Sequence, residues 1–300
     1  MVALVLLGAG ASFGSNDVLP YPPPLGNGPQ GLFARLAERG GLASLVPVDM
    51  KNTFTSDFEA GMAAYYEYAD GDIMGFQRQL AEYLASFQPG SGNLYRQLIE
   101  RVGPKRAIYS TLNYDLLIEQ SAASLGLNSN YSKTLRQNCI RLLKPHGSSN
   151  FWPDIPLGMV RGLTVKRNGV ADVAAPVLPL SREKTLYRCV HDDSLAPAIA
   201  MYAEGKPVRV CPDYVAAQQA QWAELATDAK RIFVSGVRVH SSDTHIWGTL
   251  ARSDASVFYY GLGADRIEFF KWKNQSKKSK AYYIEADFAA AVDQVARQLA

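Results

Sequence analysis

Short runs of consecutive apolar residues recur along the chain and alternate with segments of helical periodicity. The first run, Val2–Leu7, ends abruptly at Gly8, and similar runs occupy Arg106–Ser110, Ile140–Leu143, Arg231–Ser235 and Ser256–Gly261. Continuous apolar runs predict strands that are buried on both faces of a parallel sheet. Helical patterns lie at Tyr114–Ser124, Tyr214–Thr227 and Phe288–Leu299. This alternation predicts an α/β fold, a Rossmann-like doubly wound parallel sheet.

Between the first and second predicted strands the pattern changes to helices with no strand between them. Helical periodicity is found at Leu32–Arg39, Phe58–Tyr68, Ile73–Phe87 and Leu94–Arg101. The proline-rich stretch Pro20–Pro24 precedes the first of these helices and excludes regular helix there. We therefore predict a single domain over residues 1–300, with a Rossmann-like core at 1–28 and 104–300 and a helical insertion at 29–103.

Two later segments have weak periodicity. Trp152–Ala198 is rich in proline, glycine and charge, and we expect long loops with short strands there. The lysine-rich run Lys271–Lys280 follows Phe270 and includes Trp272, an arrangement that also occurs in single-strand nucleic-acid sites. Because a charge run is usually a solvated surface, we expect a hairpin loop instead.

Composition and charge restrict the class of protein. The chain has 31 basic and 28 acidic residues, a balance too even for a nucleic-acid footprint over the whole surface, so direct nucleic-acid binding is not expected. The three cysteines are far apart and form no disulfide or metal-binding pattern, which favours a cytoplasmic protein. No apolar run approaches the roughly 18 residues of a membrane span, and no leader pattern is present, so we expect no membrane association and a mature protein that starts at Met1.

A glycine-rich turn follows the first predicted strand. It consists of Gly8, Ala9, Gly10, Ala11 and Ser12. Glycines at this position let a backbone approach a pyrophosphate, and exposed amides can hold its charge. The dinucleotide fingerprint of dehydrogenases has a third glycine where Phe13 stands, so a purely structural tight turn is the alternative.

Polar residues also follow the second and third predicted strands. Asn113 and Asp115 come after the second strand, and His146 with Gly147 after the third. The carboxyl ends of parallel strands meet at one edge of the sheet, where open α/β folds bind ligands. A histidine there is suited to act as a base near neutral pH. The alternatives are helix caps for Asn113 and Asp115 and a structural role for His146.

The turn after the fourth strand offers Gly236 and Arg238 to the same crevice. His240, Asp243 and His245 follow, but their spacing fits no common metal-ligand motif. Ser242 or Asp243 is instead expected to cap a helix that begins near Thr244.

In chain order, these motifs resemble those of the SIR2-like family, the sirtuin-related NAD-binding domains. Gly8–Ser12 looks like the sirtuin GAGxS turn, Thr111–Asp115 like the TQNxD motif, and His146–Gly147 like the catalytic HG. The bacterial SIR2-like branch is more similar, because Pro24–Gly26 and Gly236–Asp243 match its PLG segment and its glycine turn followed by an aspartate. The match covers most of the chain.

The resemblance implies that NAD is the substrate. Cleavage of the nicotinamide–ribose bond needs a positioned water and a base. Asn113 is suited to hold the water and the ribose hydroxyls, and His146 to take a proton from a hydroxyl or from that water. By resemblance Asp115 orients the nicotinamide end. The cofactor-binding residues would be Gly8, Ala9, Gly10, Ala11, Ser12, Thr111, Gly236 and Arg238.

The chain also departs from the sirtuin deacylases. They carry four zinc-binding cysteines after the HG, which this sequence lacks, so no metal is expected, and Leu112 replaces their glutamine. The bacterial branch includes NAD-degrading effectors of anti-phage defence, often coupled to a second domain or subunit. We therefore expect an NAD hydrolase that acts as a homo-oligomer or with a partner regulatory subunit.

Other activities fit the same motifs. The alternatives are an NAD-dependent protein deacylase, a cyclase or ADP-ribosyltransferase, and a non-catalytic module that binds NAD or ADP-ribose as a sensor. Release of nicotinamide distinguishes the enzymes from the sensor.

Overall fold

The computed structural model describes residues 3–134, 136–162, 172–200, 208–240 and 243–300. The strands are β1 (Ala3–Leu7), β2 (Val18–Leu19), β3 (Gln88–Pro89), β4 (Ala107–Thr111), β5 (Asn128–Asn130), β6 (Cys139–Leu143), β7 (Phe151–Pro153), β8 (Val177–Pro179), β9 (Arg231–Ser235), β10 (Ser256–Gly261) and β11 (Ala281–Glu285). The α-helices are α1 (Ala9–Phe13), α2 (Leu32–Glu38), α3 (Val48–Ser56), α4 (Phe58–Tyr68), α5 (Met74–Ala85), α6 (Leu94–Val102), α7 (Leu117–Ser124), α8 (Arg182–His191), α9 (Pro212–Asp228), α10 (Thr244–Arg252), α11 (Arg266–Ser276) and α12 (Phe288–Leu299).

Seven strands form one parallel sheet in the order β11-β10-β9-β1-β4-β6-β5. The chain first extends from β1 through β4 to one edge and then returns to add β9, β10 and β11 on the other side of β1. This reversal next to β1 is the switch point of a doubly wound sheet, where a crevice opens at the carboxyl ends of the strands. The predicted Rossmann-like α/β fold is confirmed.

The central strand β1 is buried on both faces. Val5 and Leu7 belong to the core that the sheet forms with α6, α7 and α12. Leu4 and Leu6 belong to the core on the other side, with α9, α10 and α11. Alternate side chains of a strand point to opposite faces, so helices on both sides of the sheet require an apolar residue at every position of β1.

The five predicted strands agree with the structure to within one residue, except that Val2 lies outside the described residues. The segment between β1 and β4 is largely helical, as expected, and its helices pack through aromatic rings, with the centroids of Phe33 and Phe54 4.1 Å apart. The expectation of no strand in this segment is wrong, because β3 pairs with β2. The limits at residues 28 and 104 remain a prediction.

The short strands expected within Trp152–Ala198 are found as β7 and β8, but the helix α8 was not expected there, and the hairpin loop expected at Lys271–Lys280 is wrong. The segment Trp152–Ala198 contains α8, whose buried face consists of Thr185, Arg188 and Cys189, so it has no apolar stripe to reveal it. The run Lys271–Lys280 lies mostly in α11, which buries only Phe269 and Trp272. Both helices are therefore invisible to hydrophobic periodicity.

No helix within the described ranges is long and apolar enough to cross a membrane.

Candidate active site

A cavity of about 710 Å³ opens at the carboxyl ends of β1, β4, β6 and β9. Its walls include Gly8 and Gly10 after β1, Asn113 after β4, His146 after β6 and Gly236 after β9. Helix α4 and the segment before α2 close one side. The four polar turns that were expected to meet therefore line the same space.

The two glycine turns pack directly against each other. The Gly10 amide donates to the Gly236 carbonyl at 3.0 Å, and a Cβ on Gly10 would lie 2.9 Å from the Gly236 Cα atom. Gly236 itself has a φ of 66°, and a Cβ there would collide with the backbone amide of Ala11. These glycines are thus required by the contact between the two loops, whatever the cavity binds.

Most amides of the glycine-rich turn are already used within the protein. Within Gly8–Ser12, the amide of Gly8 donates to Ser235 and that of Gly10 to Gly236, and the next two amides both donate to the Gly8 carbonyl. In the described part of the chain, the Ala9 amide is the only one of the five that donates to no protein group. The turn therefore offers an anion one backbone N–H and not a cradle of several.

The side chain of Asn113 is held in one orientation. Its Nδ2 atom donates to the Gly8 carbonyl at 2.9 Å and to the Ser12 hydroxyl at 2.8 Å. A carbonyl oxygen can only accept, so the amide nitrogen must face Gly8. The Oδ1 atom lies on the opposite side of the group and accepts no hydrogen bond from any described residue. Asn113 lines the cavity, so this oxygen is available to a ligand.

Asp115 lies below Asn113 in the same network. One of its carboxylate oxygens accepts from the Ser12 hydroxyl at 2.8 Å, and the other accepts from the Leu117 amide at 3.1 Å. Burial raises the pKa of Asp115, an effect opposed by the positive charge of Lys144. The bond to Leu117 is the helix-capping role that was the alternative interpretation of this residue.

Lys144 places a buried charge beneath the site. Its ammonium group donates to the Asp115 carbonyl at 2.7 Å and to the Glu119 carboxylate at 2.8 Å. The lysine follows β6 directly and links that strand end to the start of α7. The sequence did not predict this role, because a lysine at a strand end gives no sign of the carboxylate that it meets on α7.

His146 is fixed through its backbone and its neighbour. Its carbonyl accepts from the Ala200 amide at 2.8 Å, and Gly147 forms an isolated bridge with Ile199. Gly147 has a φ of 82°, and a Cβ there would collide with the Ala198 carbonyl. Only glycine at position 147 allows residues 198–200 to pack this closely. The backbone bonds to this segment then hold His146 at the cavity wall.

Three titratable side chains meet at His146. Its Nε2 atom lies 2.9 Å from Nε2 of His245 and 3.5 Å from a carboxylate oxygen of Asp243. Helix α10 begins at Thr244 and Asp243 occupies its N-cap position, as expected, but the Asp243 side chain makes no capping hydrogen bond. Ser242 lies outside the described residues. The contact with His146 could not be read from spacing, since a separate strand supplies that residue.

The charges around the cavity are mostly negative. Arg238 is the one arginine or lysine among the described residues that line it. The carboxylates are Asp57, Glu59, Asp115, Asp243, Asp265 and Asp287. Four of these six, namely Asp57, Asp115, Asp265 and Asp287, accept from backbone amides, which compensates part of their charge.

Two predicted binding residues lie behind the cavity wall. Ala11 is fully buried, and the Thr111 hydroxyl accepts from the backbone amide of Asn113 at 3.1 Å. Neither lines the cavity, whereas Gly8, Ala9, Gly10, Ser12, Gly236 and Arg238 do, as do Asn113, Asp115 and His146. Ala11 and Thr111 therefore support the site rather than contact its contents.

No protein-family model and no curated protein matches this chain.

Proposed function

We propose that this protein hydrolyses NAD at the nicotinamide–ribose bond and releases nicotinamide and ADP-ribose. One observation carries the proposal: Asn113 and His146, from the ends of the neighbouring strands β4 and β6, line the cavity that the glycine turn after β1 also lines. This is the set of residues that resembles the SIR2-like motifs. The cavity volume lies in the range of about 300 to 1,000 Å³ usual for small-molecule sites.

The chemistry needs few groups. Nicotinamide leaves as a neutral base, so its departure requires no acid. The ribose carbon gains positive character, and water must approach it. The Asn113 Oδ1 atom is suited to accept a hydrogen bond from that water or from a ribose hydroxyl. His146 is suited to take the proton that the water loses as its oxygen bonds to the ribose carbon.

The rest of the cavity has chemistry for the remaining parts of NAD. The Ala9 amide and Arg238 are the groups that would contact the pyrophosphate. Carboxylates such as Glu59 are acceptors of the kind that bind ribose hydroxyls. A site with one arginine and several carboxylates favours a ligand that has hydroxyl groups and little net negative charge. NAD fits this description, because the positive charge of its nicotinamide ring offsets part of the charge of its two phosphates.

The biological role is inferred from the resemblance to the bacterial SIR2-like branch. On that basis we propose a regulated effector of anti-phage defence that acts as a homo-oligomer or with a partner subunit, and that needs no metal for NAD cleavage. The three cysteines Cys139, Cys189 and Cys211 are all free and give no zinc module of the sirtuin deacylase kind.

The test is to incubate the full chain with NAD and to separate the products by chromatography. We expect nicotinamide and ADP-ribose in equal amounts, at a rate that an added acetylated peptide does not change. His191→Ala, on α8 and away from the cavity, is the matched control for loss of a histidine. Cyclic ADP-ribose as the main product would indicate a cyclase, and dependence on the peptide a deacylase. NAD binding without nicotinamide release, also in the native complex, would contradict the proposal in favour of a sensor.

A further inference from the structure

His245 contacts His146 but is not among the residues that line the cavity. The two Nε2 atoms are 2.9 Å apart, a normal hydrogen-bond distance. His146 and Asp243 line the cavity, but His245 does not. The pair therefore has one ring at the wall and a second ring that does not line it, on the first turn of α10.

The distance between the two Nε2 atoms favours a hydrogen bond over a metal site. Three ligand atoms of His146, Asp243 and His245 lie within 4.8 Å of one another, which is close enough to surround an ion. However, the ring centroids of the histidines are 5.0 Å apart. This is close to the largest separation that two imidazoles can have at the observed nitrogen distance, so each Nε2 faces the other. Two nitrogens bound at about 2.0 to 2.1 Å to one tetrahedral Zn²⁺ would lie about 3.3 Å apart, which is farther than the 2.9 Å observed.

We propose that His245 is a positioning residue that accepts a hydrogen bond from His146 when His146 is protonated. The inference rests on the proposed function, in which His146 takes a proton from water. An imidazolium has N–H donors at both nitrogens, so its Nε2 must donate to His245. His245 Nε2 must then be a lone-pair acceptor, which requires the neutral ring with its proton on Nδ1.

The proton balance is complete within these groups. The O–H bond of water breaks, an N–H bond forms on His146, and the water oxygen bonds to the ribose carbon. The electron pair of the broken C–N bond goes to nicotinamide. The proton remains on the His146–His245 pair until solvent takes it. The Asp243 carboxylate, 3.5 Å from His146 Nε2, stabilises the positive charge in the meantime.

The hydrogen bond itself is tested without any activity. The full chain, which has four histidines, is labelled with ¹⁵N in the imidazole rings, and two-bond ¹H–¹⁵N correlations identify the protonated nitrogens. We expect His245→Phe to shift the Nε2 signal of His146 and to leave those of His191 and His240 in place. The control His191→Ala should leave the His146 signal unchanged. An unchanged His146 signal in His245→Phe would overturn the proposal.

The role in the reaction is tested with a set of substitutions. His245→Phe keeps an aromatic ring but accepts no hydrogen bond, and His245→Lys only donates, so both should lower kcat by about 10- to 100-fold, the usual effect of losing a partner that orients a histidine. KM should stay near the wild-type value. His245→Gln has a carbonyl that can accept, and it should recover much of the loss. If Gln and Phe are equally impaired, packing alone explains the effect and the proposal is wrong.

Metal content is measured on the same samples. Stoichiometric zinc in tag-free protein, lost in His245→Phe, would replace the hydrogen-bonded pair with a metal site and overturn the proposal. If wild-type protein and its native complex cleave no NAD while the NMR shift is seen, the proposed function fails, and the role of His245 in proton transfer fails with it. If NAD is cleaved but the NMR shift is absent, only the inference about His245 fails.

Discussion

The ammonium group of Lys144 lies 2.8 Å from a carboxylate oxygen of Glu119, with the lysine side chain wholly buried and that of Glu119 12% exposed. Lys144 also donates to the Asp115 carbonyl at 2.7 Å. This ion pair connects the end of β6 to α7, and so connects the strand end that precedes His146 with the turn that carries Asn113.

Breaking this pair should be costly. Lys144→Met leaves the Glu119 carboxylate in a nearly enclosed position without its cation, and removal of one partner of a buried pair typically costs about 3 to 5 kcal/mol. We expect a loss of that order in the free energy of unfolding, measured by urea denaturation. The double variant with Glu119→Gln should be more stable than Lys144→Met alone.

An exposed pair gives the control for this prediction. Arg35 and Glu38 are 3.1 Å apart, with side chains 35% and 61% exposed. Arg35→Met should change stability by less than about 1 kcal/mol, because solvent screens exposed pairs. If both variants lose the same free energy of unfolding, burial of Lys144 does not increase the cost of breaking its ion pair.

The raised pKa of Asp115 predicts a dependence of stability on pH. A group whose folded pKa lies above its unfolded value destabilises the folded state as it ionises, so stability falls as pH rises from the ordinary Asp value through the folded pKa. Asp115→Asn imitates the protonated form, and the Ser12 hydroxyl can accept from an amide at position 115. Relative to wild type, this variant should gain stability as pH rises over that range, measured by denaturation at a series of pH values.

Asp293 provides a control of opposite sign. A hydrogen bond from Arg101 lowers the pKa of Asp293, so ionisation of Asp293 stabilises the folded state as pH rises. Relative to wild type, Asp293→Asn should therefore lose stability as pH rises from the lowered folded pKa to the ordinary Asp value, and the series of pH values is extended below that value to measure it. A difference between Asp115→Asn and wild type that does not change with pH would contradict the burial argument.

Gly147 should tolerate substitution less well than a glycine in open space. Gly147→Ala combines a positive φ of 82° with a collision against the Ala198 carbonyl. Gly126 has a φ of 74° and no atom within 4 Å of an added Cβ. We expect Gly126→Ala to cost about 1 to 2 kcal/mol from backbone strain alone. Gly147→Ala should cost clearly more in thermal unfolding, and equal losses would mean that the Ala198 segment moves freely.

The sheet was predictable because burial on both faces leaves a direct trace in the sequence. β1 and β9 are largely apolar runs that are followed by glycines, and their ends agree with the structure to within one residue. β11 was missed. It lies at the edge of the sheet, where only Ala281 is buried, and its short apolar part, Ala281–Ile284, directly follows the lysine-rich run that was expected to form a loop.

The candidate site was predictable only in part. Strand ends of a parallel sheet must meet, so Asn113 and His146 could be assigned to one crevice from their positions alone. The Gly8 and Gly10 turn lines the cavity, but the close contact of Gly236 with these glycines was not predicted. That contact joins strands more than 200 residues apart in the chain, as does the pairing of β1 with β9, and no local pattern encodes it.

The same limit applies to His245. The spacing of His240, Asp243 and His245 fits no motif in which one segment supplies the ligands. His146, which completes the cluster, is 99 residues away from His245. Only the approach of the turn after β6 to the start of α10 brings them together.

Asn113→Ala and His146→Ala test the assignment of the active site. Positioned proton transfer contributes about 10²- to 10⁴-fold, so His146→Ala should reduce NAD cleavage by roughly that factor, about 3 to 5 kcal/mol of transition-state stabilisation. Asn113→Ala should fold, since the Gly8 carbonyl keeps its bonds from the amides of Ala11 and Ser12, and it should also lose activity. Circular dichroism and thermal unfolding check the fold of each variant.

The double variant Asn113→Ala/His146→Ala tests whether the two residues act at the same step. If Asn113 and His146 act on the same water and the same transition state, their losses are not independent, and the double variant should retain more activity than the product of the two single losses. Ser12→Ala removes one of the two acceptors that orient Asn113 and should have a smaller effect than Asn113→Ala. Losses that multiply fully in the double variant would mean that the two residues act at separate steps, and full activity in either single variant would remove that residue from the site.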